Sequence, residues 1–207
     1  MKDLYIVGAG GLAREVHCLV NQINASEETW NLVGFVDPNN AYRDPAFVTL
    51  VDESDIPEGA HFVVALGNIE LKDLLFHKCL KLGLNPAVLV HPETWISDTT
   101  TVGWGSIICK GTAMTADIVI EDNVYINHNV SIGHDVRIGS HSIVNPGAVI
   151  GGGVILENHV LVGMGASVIQ YVTVGCGASV SMGSAVTRNV PAGALAIGVP
   201  ASIMKRG

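Results

Sequence analysis

The sequence predicts an α/β N-terminal half-Rossmann domain followed by a parallel β-helix, and three observations carry that reading. An aliphatic residue or methionine recurs at every sixth position from Ile96 to Val186 without a slip. Residues 1–91 instead alternate short apolar strands with helical stretches, the pattern of a parallel sheet with crossover helices. A glycine-rich turn, Gly8-Ala9-Gly10-Gly11-Leu12-Ala13, joins the first strand to the first helix. The domain boundary falls at His91-Pro92, giving domains 1–91 and 92–207.

Bulk composition narrows the function classes. Hydrophobic residues make up 48% of the 207 and charged ones 14%, so the chain has ample surface to bury and disorder is excluded. Eleven Lys and Arg against nineteen Asp and Glu give a net charge of -8, which repels nucleic acid and anionic membrane surfaces. Gly, Asn, Asp or Ser interrupts every apolar stretch before it reaches the ~18 residues of a membrane helix. The opening MKDLYIVGAGG has no secretory pattern, so a cytoplasmic protein is expected. Cys18, Cys79, Cys109 and Cys176 form no CxxC pair and read as reduced structural thiols.

In the first domain, strands are expected at Leu4 to Val7, Leu32 to Val36, Phe62 to Leu66 and Ala87 to Val90, with helices running to about Asn24 and from Ile69 to Leu82. Gly8, Gly10 and Ala13 match G-x-G-x-x-G/A between a strand and a helix, where backbone N–H groups and the helix dipole favour a phosphate. Asp37, closing the second strand, stands where such folds place an acid near a ribose or base, although a plain turn at Asp37-Pro38 needs no ligand. A domain of half size suits one nucleotide, so a nucleotide-linked ligand is preferred over NAD.

In the second domain, the residue four after each aliphatic is small or β-branched in all sixteen hexads, as at Ser106, Val124, Ser142 and Ala166. The two slots lie two residues apart across the hexad junction, as one inward face of a strand requires. The slot three after the aliphatic is Gly, Asn or Asp in twelve of sixteen hexads, residue types that tolerate a left-handed bend. Three faces per coil then stack residues eighteen apart and give about five coils.

His134 and Asp135 occupy two successive corner slots, so both should point away from the filled core. An outward imidazole suits a general base, and Asp135 either raises its basicity or serves the backbone bend alone. Gly152, eighteen residues on, should stack beside His134, leaving room for a thioester and an N–H for an oxyanion, or else simply forming a tight corner. His128 repeats the slot of His134 on the next face, and His141 should stack on His159. No third ligand is evident beside that pair, so no metal is expected.

The motifs GAGGLAREV, GFVDP, ALGN and SIGHD, with the hexads and the closing Gly198-Val199-Pro200-Ala201, make the whole chain resemble the bacterial sialic acid O-acetyltransferases and nucleotide-sugar 4-amino N-acetyltransferases, within the left-handed β-helix superfamily of hexapeptide proteins. The resemblance implies a homotrimer with acetyl-CoA in the cleft between adjacent β-helices, and a first domain that holds the nucleotide of a sugar. It makes His134 the general base and Asp135 its partner. Gly10, Gly11, Leu12, Asp37, Pro38 and Gly67 match sugar-nucleotide positions, and Ile143, Gly152, Met164 and Met182 fall where relatives line the acetyl-CoA site. Relatives often carry His in place of Leu12 and an acid in place of Pro38, which leaves the nucleotide and sugar open. The expected activity is acetyl transfer to the amine of a UDP-, dTDP- or GDP-linked 4-amino sugar in glycan or surface-polysaccharide synthesis. Sialic acid O-acetylation and a non-catalytic trimeric nucleotide-sugar-binding module are the alternatives.

Overall fold

The computed structural model describes residues 1–38 and 47–205, and it divides into two compact units, Met1–Pro92 and Glu93–Gly207. The first unit runs β1 (Lys2–Val7), α1 (Gly11–Ser26), β2 (Trp30–Val36), β3 (Val48–Leu50), a 3-10 turn (Glu53–Asp55), β4 (His61–Val64), α2 (Ile69–Lys81) and β5 (Asn85–Pro86), with a short strand Leu89–Val90 after it. Its five-stranded sheet is parallel in the order β3-β2-β1-β4-β5, so β1 lies between β2 and β4 and the chain crosses from β3 at one edge back over the sheet to β4.

Leu4, Ile6 and Val7 in β1 are buried, the unbroken apolar run expected of a strand covered on both faces. α1 turns Ala13, Val16, Leu19 and Val20 inward, a stripe at three- and four-residue spacing. Phe62 of β4 meets Phe76 of α2 with ring centroids 5.6 Å apart in a core that also holds Tyr5, Val36 and Cys79. Two details differ from the sequence reading. β4 stops at Val64, and the edge strand is Asn85–Pro86 rather than Ala87 to Val90. Pro86 lacks an N–H to donate, which an edge position tolerates, while Asn85 and Ala87 on either side donate to Ala60 and Phe62 at 2.9 and 2.8 Å. β3, only three residues long, carries no periodicity to read.

The second unit is a parallel β-helix of two-residue strands. Register pairs such as Val119↔Arg137, Tyr125↔Ile143 and Ser131↔Val149 are eighteen residues apart, one coil each. Two faces carry five strands apiece. The third includes Ile107–Ile108, Tyr125–Ile126, Ile143–Val144, Leu161–Val162 and Ser179–Val180, then Leu195–Ile197 and an antiparallel return, Ser202–Met204. Ile108, Ile126, Val144, Val162 and Val180 stack inside it at no more than 1% exposure. Two small polar residues of the other inward slot are satisfied alike: Ser142 Oγ donates to Glu157 O at 3.1 Å and accepts from Val160 N at 3.0 Å, and Ser106 repeats the pattern.

Backbone φ is positive at the corner slot of fourteen successive hexads, from Gly105 to Gly183. Glycine, Asn and Asp fill most of them, but His141, His159 and Tyr171 do so as well, and a side chain there costs about 1–2 kcal/mol of left-handed strain. His141 and His159 offset part of it by stacking, 5.1 Å between centroids and 17° between planes. Among the described residues, no helix is long and apolar enough to cross a membrane.

Two stability outcomes follow. Ile126→Ala removes a fully buried rung and should lower unfolding free energy by about 2–5 kcal/mol in urea titration. Lys72 on α2 is 1% exposed, and burial pushes its ammonium down to about 7 against partial support from Asp73. The unfolded chain holds that proton to about 10.4, so stability should rise with pH between about 7 and 10. Lys72→Met should therefore stabilise most at pH 6, with the gain shrinking by pH 10 in parallel urea titrations.

Candidate active site

The first unit holds a cavity of about 430 Å³ at the carboxyl ends of β1, β2 and β4, the point where the strand order reverses. Gly8 to Gly10, Asp37 and Pro38 line it, as the motif predicts. Gly8 sits at φ +115°, and a Cβ on it would meet Ala65 O at 2.8 Å, so no other residue fits the turn. Gly10 caps α1 without a side-chain hydrogen bond, and no acid occupies the first turn. α2 is built differently: Asn68 Oδ1 accepts from Leu71 N at 2.8 Å and Glu70 complements the dipole. The first-turn N–H groups of α1 are thus left for an anion. Asp37 is 9% exposed. Gly11, Leu12 and Gly67 neighbour the lining residues in sequence but do not line the cavity themselves.

Sequence reasoning missed Asp52, Glu53 and Lys78 in the same cavity. Lys78 Nζ lies 2.7 Å from Asp52 Oδ2 and 2.5 Å from Glu53 Oε2. Those two hydrogen bonds raise the ammonium above its usual range, and the bond from Lys78 holds the Asp52 carboxyl well below its own. Only the run Asp52-Glu53 hinted at the cluster, because Lys78 reaches it from a helix twenty-five residues away.

On the β-helix, Asp135 takes φ 57° at its corner. That bend turns adjacent side chains together, and Asp135 Oδ2 lies 2.7 Å from His134 Nδ1. Asp135 therefore serves both the backbone and the ring. An ionised carboxylate only accepts, so Nδ1 carries the proton and Nε2 of the neutral ring is left with its lone pair. That nitrogen faces Gly152: a Cβ there would lie 2.6 Å from His134 Nε2. Both side chains are more than half exposed. Gly153 N donates to His134 O at 2.7 Å and Tyr171 N to Gly152 O at 2.9 Å, fixing the rungs on either side.

The four residues assigned to acetyl-CoA do not form one cluster. Gly152 shares the corner of His134, Met164 and Met182 stack eighteen apart on another corner at 52% and 68% exposure, and Ile143 is buried within a face. Toward the far end of the β-helix unit, Lys205 is exposed and Arg206 lies outside the described residues.

Comparison with known proteins adds the following. Residues 3–79 match the family described as "PglD N-terminal domain", and residues 117–152 match "Bacterial transferase hexapeptide (six repeats)". GDP-perosamine N-acetyltransferase of Escherichia coli O157:H7 is 32% identical, over 99% of this chain and 97% of its own. WeeI from Acinetobacter baumannii AYE superposes with a TM-score of 0.88 at 28% identity, covering 99% of this chain and 100% of its own. A mutant GDP-perosamine N-acetyl transferase from Caulobacter crescentus, in complex with CoA and GDP-perosamine, superposes with a TM-score of 0.85 at 28% identity, covering 100% and 98%.

Gly152→Ala tests the corner directly. The added methyl should push the imidazole aside and break its bond to Asp135, leaving the fold intact. The expected readout is loss of the downfield His134 Nδ1 proton in NMR spectra with an unchanged circular dichroism melt.

Proposed function

Because the chain belongs to the hexapeptide-repeat family of sialic acid O-acetyltransferases and nucleotide-sugar N-acetyltransferases, and is an acyltransferase that uses acetyl-CoA, we propose that it acetylates the amine of a nucleotide-linked amino sugar. GDP-perosamine is the first acceptor to try, since the relative at 32% identity is named for it. The cavity of the first unit supports this reading. The uncapped start of α1 takes the diphosphate, and Asp37 accepts from a ribose hydroxyl or a base N–H.

The observation that carries the chemistry is the His134 corner, with Nδ1 held by Asp135 and Nε2 facing the bare surface of Gly152. The neutral sugar amine attacks the thioester carbonyl carbon while His134 Nε2 takes its proton. The Gly152 N–H, which has no hydrogen-bond partner among the described residues, stabilises the oxyanion. Collapse breaks the C–S bond, forms the amide, and returns the proton from His134 to the departing thiolate. Asp135 holds the ring in its reactive tautomer throughout and supports the imidazolium. Met164 and Met182, on a different corner from His134, suit a cleft between copies in a homotrimer, where the corner of one faces the corner of the next.

Release of free thiol from acetyl-CoA should be measured with GDP-, UDP- and dTDP-linked 4-amino sugars and with sialic acid. Turnover with one amino sugar, falling about 10²–10⁴-fold in His134→Ala, is the expected result. Turnover with sialic acid alone would replace the acceptor by a hydroxyl, and saturable nucleotide-sugar binding without any turnover would leave a binding module.

A further inference from the structure

The glycine pair beside His134 has a second aromatic neighbour. A Cβ on Gly152 would lie 2.6 Å from His134 Nε2, and a Cβ on Gly153 would lie 2.6 Å from Tyr171 Cε1. The imidazole leans over one glycine from the preceding rung, and the phenol leans over the next glycine from the following rung. Tyr171 is an unexpected residue for its place. Its backbone is left-handed at φ 60°, where twelve of sixteen hexads use Gly, Asn or Asp, and a bulky aromatic is disfavoured there. The residue is 69% exposed, so core packing does not explain it either. Strain held at a solvent-facing aromatic next to a candidate site points to a role in what binds there.

We propose that Tyr171 determines acyl-chain length, its ring forming the far wall of the space over Gly152 and Gly153 in which the acyl group of the thioester lies. This rests on the reading of His134 as the base. The acyl carbon must come within about 3–3.5 Å of the attacking amine, which is itself held at Nε2. The rest of the acyl group then extends along the glycine floor, whose two Cα atoms are about 3.8 Å apart. An acetyl methyl fits between imidazole and phenol. A chain two carbons longer meets the ring.

The test is thiol release with acetyl-, butyryl- and hexanoyl-CoA at a fixed acceptor, for the unmodified protein, Tyr171→Phe and Tyr171→Gly. Glycine suits the backbone angle, so the variant should fold, and a melting curve checks it. The ratio of kcat/KM for butyryl- over acetyl-CoA should rise about tenfold or more in Tyr171→Gly, the range that one or two misfitted methylenes are worth, and stay unchanged in Tyr171→Phe. An unchanged donor ratio in a folded, active Tyr171→Gly overturns the wall alone, and so does a change confined to the acceptor KM. No turnover by the unmodified protein with any donor and acceptor overturns the acetyl-transfer reading together with this one.

Discussion

Everything on the β-helix depends on one backbone bend, a residue at φ near +60° in every hexad from Gly105 to Gly183. The bend ends each two-residue strand and starts the next face, so that three faces close a coil and the strands' N–H groups find carbonyls one coil away. Ser131 N to Ala148 O at 3.0 Å and Gly133 N to Ile150 O at 2.8 Å are two of these bonds. The same bend turns His134 and Asp135 toward each other, which a regular strand would hold on opposite sides. Architecture and candidate chemistry thus come from a single conformational requirement.

Both candidate sites are made by leaving side chains out. Gly8 and Gly10 expose the start of α1, and Gly152 gives His134 its open side. In the proposed reaction, each anionic centre, a diphosphate and a tetrahedral oxyanion, then meets backbone N–H groups. A chain of net charge -8 can in this way receive polyanionic substrates with few free cations at the sites. Lys78, the cation in the first cavity, is already engaged by Asp52 and Glu53.

The hexads were legible because each coil imposes the same demand on the same slot, and slot arithmetic was enough to place Gly152 beside His134 and His159 beside His141. The Gly8 turn was legible for a similar reason, as only glycine avoids Ala65 there. What escaped has no local period. β3 is three residues long, β5 contains a proline, and Lys78 meets Asp52 only through the packing of α2. Tyr171 was visible as an exception to the Gly, Asn and Asp rule of the corner slot, yet nothing in the sequence says that its ring falls on Gly153. The division of Met164 and Met182 from Gly152 was implicit in the hexad count, since they stand at different corners of the coil.

A stack of parallel rungs exposes unpaired backbone groups wherever it stops, and such a rim can template the next rung from another molecule. Here Leu195–Ile197 completes one face and the chain then doubles back, pairing Ser202–Met204 against it in the opposite direction. On that face, the reversal covers the outermost hydrogen-bonding row with a strand of the wrong polarity for continuing the coil. Growth into open fibrils is checked at this face by the direction of one three-residue strand.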